Sequence, residues 1–139
     1  MNFTHKFFGK FLFKKEAWGR GWADYFAFRP AKVYWLATLA VNLLLWVLAG
    51  LIKRGLKQDL AILHYNITFG IDYLAPPVQI YWLPLIGLLL FAINAYLSMI
   101  FLKRDGWLVN LLLASALAVN VLVGLGLYSI YLVNFVKIF

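Results

Sequence analysis

The chain has no cysteine, only two histidines and five acidic residues, and three long stretches of it, 33–52, 74–102 and 106–136, carry no Asp, Glu, Lys or Arg. The missing cysteine excludes a disulfide framework, a thiolate metal site and a cysteine nucleophile, and leaves the redox compartment undetermined. The five acids (Glu16, Asp24, Asp59, Asp72 and Asp105) are scattered singly, with no paired carboxylates for acid–base work. No nucleophile elbow, glycine-rich phosphate loop or metal-binding helix is present. The chain is therefore expected not to be an enzyme and to need no cofactor.

Apolar residues make up 65% of the sequence and aromatic residues 19%, while only 13% are charged, and mean hydropathy is +0.84. A soluble domain of 139 residues has too little interior to hide so much apolar surface. Each uncharged stretch supplies the roughly 20 apolar residues that a helix needs to cross about 30 Å of hydrocarbon. The expected fold is an all-α membrane protein with spans at about 31–52, 78–102 and 107–136, forming one domain over 30–139 behind a separate segment, 1–29. A cleaved signal peptide is disfavoured, because the first apolar run is too long and ends in Ala49-Gly50-Leu51-Ile52-Lys53-Arg54, a stop-transfer pattern. None of the spans holds the buried charge that marks pumps, proton relays or voltage sensors.

Seven of the thirteen Lys and Arg precede the first span, three follow it, two lie between spans two and three, and Lys137 comes last. With three crossings, nine basic residues share one side and four the other. The positive-inside rule then puts the N-terminus and Lys103-Arg104 in the cytoplasm, and the first loop and C-terminus outside. Lys53 and Arg54, directly after the first span, oppose that assignment.

In the first segment Phe3, Phe7 and Phe11 recur every four residues, flanked by Lys6, Lys10, Lys14 and Lys15; Trp18, Arg20, Trp22, Tyr25 and Phe26 follow after a reset at Gly19 and Gly21. The pattern predicts a helical anchor in the membrane interface, its rings among the headgroups and its cations on anionic lipid, each contributing about 1 kcal/mol. His5 falls at the same surface. Basic residues interleaved with aromatics also suit single-stranded nucleic acid, but the periodic aromatic face and the adjoining span favour lipid, and no nucleic-acid partner is expected. Arg29-Pro30 closes the segment.

Each span has one asparagine near its middle: Asn42, Asn94 and Asn120. Thr38 and Ala49 share a face with Asn42, Gly87 and Ser98 with Asn94, and Ala116 and Gly124 with Asn120. An amide facing lipid is unsatisfied, whereas one facing a helix can pair for about 0.6–2 kcal/mol. All three are expected to point inward as a polar layer that sets helix register, a midplane substrate site being the rival. Pro84 lies in the first turns of the second span, where proline is tolerated. Lys103 to Gly106 leaves room only for a tight turn, so spans two and three form an antiparallel hairpin. The third span, roughly 45 Å long as helix, must tilt or project.

From Leu63 to Tyr73 apolar residues (Leu63, Tyr65, Ile67, Phe69, Ile71, Tyr73) alternate strictly with His64, Asn66, Thr68, Gly70 and Asp72. Such alternation predicts an extended, half-buried segment. Its backbone must pair with a partner chain, fold back near Thr68 to Gly70, or lie on the helices with its amides solvated. Tyr65, Ile67, Phe69, Gly70, Ile71 and Tyr73 are the candidate partner-binding residues. In a straight strand His64 and Asp72 stand roughly 26 Å apart, too far to share a metal, and two ligands are too few for one. Asn66-Ile67-Thr68 fits a glycosylation sequon, which matters only in a secretory pathway.

This Leu-His-Tyr-Asn-Ile-Thr-Phe-Gly-Ile-Asp stretch, followed by Tyr81-Trp82-Leu83-Pro84-Leu85-Ile86-Gly87, resembles a group of uncharacterised small bacterial membrane proteins carrying an LHYNxxFGID segment between their first and second spans. The similarity covers about residues 60–105. It implies a bacterial inner membrane and transfers no activity, since none is assigned to the group. The functional expectation is a non-enzymatic accessory or scaffold subunit with a protein partner, or a homo-oligomer. The alternative is a small oligomeric channel or transporter.

Overall fold

The computed structural model describes residues 22–23, 25–66, 68 and 70–136. Among them are helices α1 (Arg29–Gly55), α2 (Trp82–Phe101) and α3 (Gly106–Tyr131). Strands β1 (Ala61–Asn66) and β2 (Gly70–Ala75) and a 3₁₀ turn (Pro77–Tyr81) join α1 to α2, and a π-helical turn (Leu132–Val136) extends α3. The three helical stretches are long and apolar enough to span a membrane. Their outer surfaces leave Leu36 71% and Leu122 64% exposed, a pattern stable only where the solvent is hydrocarbon.

Local chemistry sets the helix boundaries. Pro30 occupies the first turn of α1, and Lys53 and Arg54 the last, where cations complement the helix dipole. The ring of Pro84, third residue of α2, costs no hydrogen bond because first-turn N–H groups have no intrahelical acceptor. Asp105 caps α3, its Oδ1 accepting from the N–H groups of Trp107 at 2.9 Å and Leu108 at 3.3 Å. The turn before it is closed by bonds from the Arg104 and Asp105 amides to the Phe101 carbonyl, which makes α2 and α3 antiparallel neighbours.

α3 packs on both other helices. Small residues let the backbones approach: Ala49, Ala95, Ala116 and Ser98 are buried at the contacts. The core has three parts. Leu45, Ala49, Ile52, Ile80, Leu127 and Ile130 pack with Ala61 at the hairpin end. Phe91, Ala95 and Ala116 fill the middle, and Tyr25, Ala31, Val109 and Leu113 close the opposite end.

Of the three options left open for the first loop, the chain takes the fold-back. β1 and β2 form an antiparallel hairpin in which Ala61 faces Ala75, Ile62 faces Leu74, Tyr65 faces Ile71 and Asn66 faces Gly70. Gly70 has φ +78°, which residues with a Cβ rarely adopt, and the Asn66 side-chain oxygen accepts from the Thr68 amide at 2.8 Å, closing the turn. The register shifts on both sides of His64, and there the strict alternation fails. Leu63 and Tyr65 are half-buried, but Ile71 and Tyr73 are about half exposed, so the apolar positions do not form one buried face. The fold-back also corrects the 26 Å separation, because His64 Nδ1 now donates to Asp72 Oδ1 at 2.6 Å.

Candidate functional site

Two constructions use the chain's polar side chains. The first is an amide junction at the middle of the spans. Asn42 of α1 donates through Nδ2 to Asn120 Oδ1 of α3 at 2.8 Å and to the Pro84 carbonyl of α2 at 3.0 Å. Asn120 donates to the Gly87 carbonyl at 3.2 Å and to its own helix at Ala116 at 2.9 Å. Trp46 Nε1 donates to Asn42 Oδ1 at 3.1 Å. All four amide N–H donors and both side-chain carbonyls are thereby used within the protomer. Asn42 is 3% exposed and Asn120 fully buried. In place of a cavity there is contact: a Cβ on Gly87 would stand 2.7 Å from Asn120 Oδ1.

Asn94 does not join this junction. It is half-buried and donates to the Leu90 carbonyl of its own helix at 2.9 Å. The buried stripe of α2 runs through Pro84, Gly87, Phe91, Ala95 and Ser98, and Asn94 lies at its flank. The contribution of α2 is two backbone carbonyls, one turn apart, laid open by a proline and a glycine.

The second construction anchors the hairpin. Asn134, in the π-helical turn, presents its side-chain amide to β1 as a peptide group would: Oδ1 accepts from the Ile62 N–H at 3.0 Å and Nδ2 donates to the Ile62 carbonyl at 2.8 Å. A further bond from Nδ2 to the Ile130 carbonyl at 2.8 Å braces the side chain. The helix continuing past Tyr131 thus serves as a post for the hairpin. On the other strand Tyr73 donates to Gln79 Oε1 at 2.8 Å. Among the described residues β2 pairs only with β1, so none of them adds a strand at its second edge, and Ile71, Tyr73 and Leu74 beside it are each about half exposed. An open edge with apolar side chains invites strand addition.

Tyr25 departs from the headgroup placement expected of it. Tyr25 is fully buried, its hydroxyl 2.7 Å from Ser98 Oγ and accepting from Trp35 Nε1 at 3.1 Å. Trp22 is 37% exposed, stacks on Phe26 at 5.7 Å and meets Trp35 edge-on at 6.2 Å. The end of the first segment therefore docks on protein. Lys6, Lys10, Lys14, Lys15, Trp18 and Arg20, with His5 and the earlier phenylalanines, lie outside the described residues, as do Ile67 and Phe69 of the loop and Lys137.

The exposed His64–Asp72 pair brings one imidazole and one carboxylate together, and no group of three or more metal-ligating side chains exists among the described residues. Sequence reasoning missed Asn134 and Tyr25. The signal for Asn134 was its position fourteen residues after Asn120 on an over-long span, close to four helical turns and so on nearly the same face. No protein-family model matches the chain, and comparison with curated proteins and with solved structures gives no match.

Proposed function

We propose that this chain is a non-enzymatic accessory or scaffold subunit of a membrane assembly, in which three locked spans hold out a hairpin for a protein partner. The observation that supports this most is the Asn134 clamp. Both backbone groups of Ile62 are held by one side chain, so the hairpin is a fixed extension of α3, and its free β2 edge is pre-ordered for pairing at little further entropic cost. The partner-binding residues in this reading are Tyr65, Gly70, Ile71 and Tyr73, with Leu74 added; Ile67 and Phe69, outside the described residues, are kept from the sequence pattern. The charge asymmetry supports a cytoplasmic N-terminus with the hairpin and C-terminus outside, the resemblance noted above supports a bacterial inner membrane, and the basic first segment supports contact with anionic lipid.

The channel reading loses ground at the amide junction, where the midspan polar groups are spent on one another. Full-length protein reconstituted in liposomes tests the choice: the scaffold reading expects ion flux no greater than that of empty vesicles. Selective flux abolished by Asn120→Leu without loss of stability would put the channel first.

A further inference from the structure

We propose that the groove between the hairpin-proximal ends of α1 and α3 is a phospholipid site, with an acyl chain in the groove and the phosphate held by Arg54 and Lys57. The groove encloses about 350 Å³, within the usual range for a ligand pocket, and its walls are Leu48, Leu51 and Ile52 of α1 against Leu127, Tyr131 and Phe135. The far wall is a stack of rings, Tyr128 to Tyr131 at 6.5 Å and Tyr131 to Phe135 at 5.2 Å, each pair inclined by 23°. Gly55 ends the groove: a Cβ there would stand 2.9 Å from the Phe135 ring, so the ring lies directly on the glycine. From Leu48 to Gly55 the helix rises about 10 Å, enough for the upper part of an acyl chain lying along it.

The cations beside Gly55 in the chain point to the occupant. Lys53 and Arg54 precede Gly55 in the last turn of α1 and Lys57 follows it; all three are exposed. Among the described residues the one ion pair is His64–Asp72, so none of the three is held in an ion pair there. Lys53 Nζ instead lies 5.4 Å from the centroid of the Tyr81 ring, which stacks on Trp46 at the face of α1 turned away from the groove, so Arg54 and Lys57 remain for the phosphate. A second copy of the chain inserted in the same sense would bring its own three cations to the same depth, and like charges there repel. A phospholipid brings an apolar chain to the groove and an anionic phosphate to the cations, satisfying both.

The test is native mass spectrometry of the full chain after delipidation, then titration with phosphatidylglycerol or phosphatidylcholine. One phospholipid per chain is expected to survive, with phosphatidylglycerol retained in preference. Arg54→Gln and Lys57→Gln should each weaken phosphatidylglycerol retention about fivefold, since each cation near an anionic headgroup contributes about 1 kcal/mol. Gly55→Leu should abolish retention with every cation in place; if it fails to insert, Leu51→Trp obstructs the same groove. Helical content by circular dichroism should match the parent in each variant. Loss of all lipid from the parent chain, or retention unchanged in the charge and groove variants alike, would overturn the proposal. So would a dimer that the groove variants dissociate, which would make a second copy the occupant.

Discussion

The Asn42 amide donates to the Asn120 side-chain oxygen at 2.8 Å, joining α1 to α3 across 78 positions of sequence in the middle of the apolar layer. Hydrocarbon offers these groups no alternative partner, so the bond is worth most where it stands. Because Gly87 lies against Asn120 and the Pro84 and Gly87 carbonyls accept from the two amides, a single point fixes the register of all three helices.

The three asparagines should therefore behave unequally. Asn42→Leu and Asn120→Leu are each expected to cost about 1–2 kcal/mol, the upper part of the range for interhelical hydrogen bonds in membranes. The double variant should cost less than the sum, because the two share a bond. Asn94→Leu removes only a bond within its own helix and should stay within about 0.5 kcal/mol of the parent. Chemical denaturation in mixed detergent micelles gives the three values, and equal losses at all three positions would contradict the junction.

Two substitutions near the junction carry opposite signs. Gly87→Ala places a methyl 2.7 Å from Asn120 Oδ1 and should destabilise by about 1–3 kcal/mol, as overpacking does. The Thr38 hydroxyl is fully buried and has no hydrogen-bond partner among the described residues. Thr38→Val keeps the shape and removes the unsatisfied group, so it is expected to be neutral or stabilising. Thermal unfolding of both variants in one detergent decides each sign.

How much of this was legible in the sequence follows from the range of each signal. The spans were legible because hydrocarbon demands twenty uncharged residues whatever the helices pack against. Asn42 and Asn120 were legible as polar atoms in an apolar run that must find partners. Asn94 was misassigned because 3.6-residue periodicity places a face only to within about one position: the neighbouring Ala95 faces the core, and Asn94 bonds its own backbone. In the loop, the fold-back near Thr68 to Gly70 stands among three options, and strict alternation from Leu63 to Tyr73 cannot choose between them, since Gly70 fits a strand pattern as well as a positive φ. The register shift around His64 leaves no mark in an apolar–polar count. Tyr25 looks interfacial in the sequence because nothing local shows that Ser98, 73 positions away, supplies its partner.

The hairpin clamp makes a local prediction. Asn134→Leu removes both bonds to Ile62, and amide exchange at Ile62 should speed up by roughly tenfold per bond lost. Exchange within α2 should be unaffected. Asn134→Asp keeps the acceptor for the Ile62 N–H and loses the donor, so it should fall between the parent and Asn134→Leu. Hydrogen–deuterium exchange with peptide-level readout over 56–76 measures both, and unchanged protection in Asn134→Leu would remove the clamp from the account.

Topology can be tested cleanly because the chain contains no cysteine. Gln58→Cys and Arg104→Cys are expected to label differently with a membrane-impermeant maleimide in intact cells: Gln58→Cys at once, Arg104→Cys only after permeabilisation. The reverse order would invert the orientation, moving the hairpin to the cytoplasm without altering the fold.

The most direct test of the scaffold reading is photocrosslinking from the free hairpin edge. A photoreactive amino acid replaces Tyr73 in β2 in one variant and the lipid-facing Leu122 of α3 in another, each expressed at native level and irradiated in intact cells. One discrete protein adduct is expected from position 73, lost when Asn134→Leu frees the hairpin, and only lipid adducts from position 122. Position 73 yielding lipid alone, or the same protein adducts as position 122, would contradict the scaffold reading.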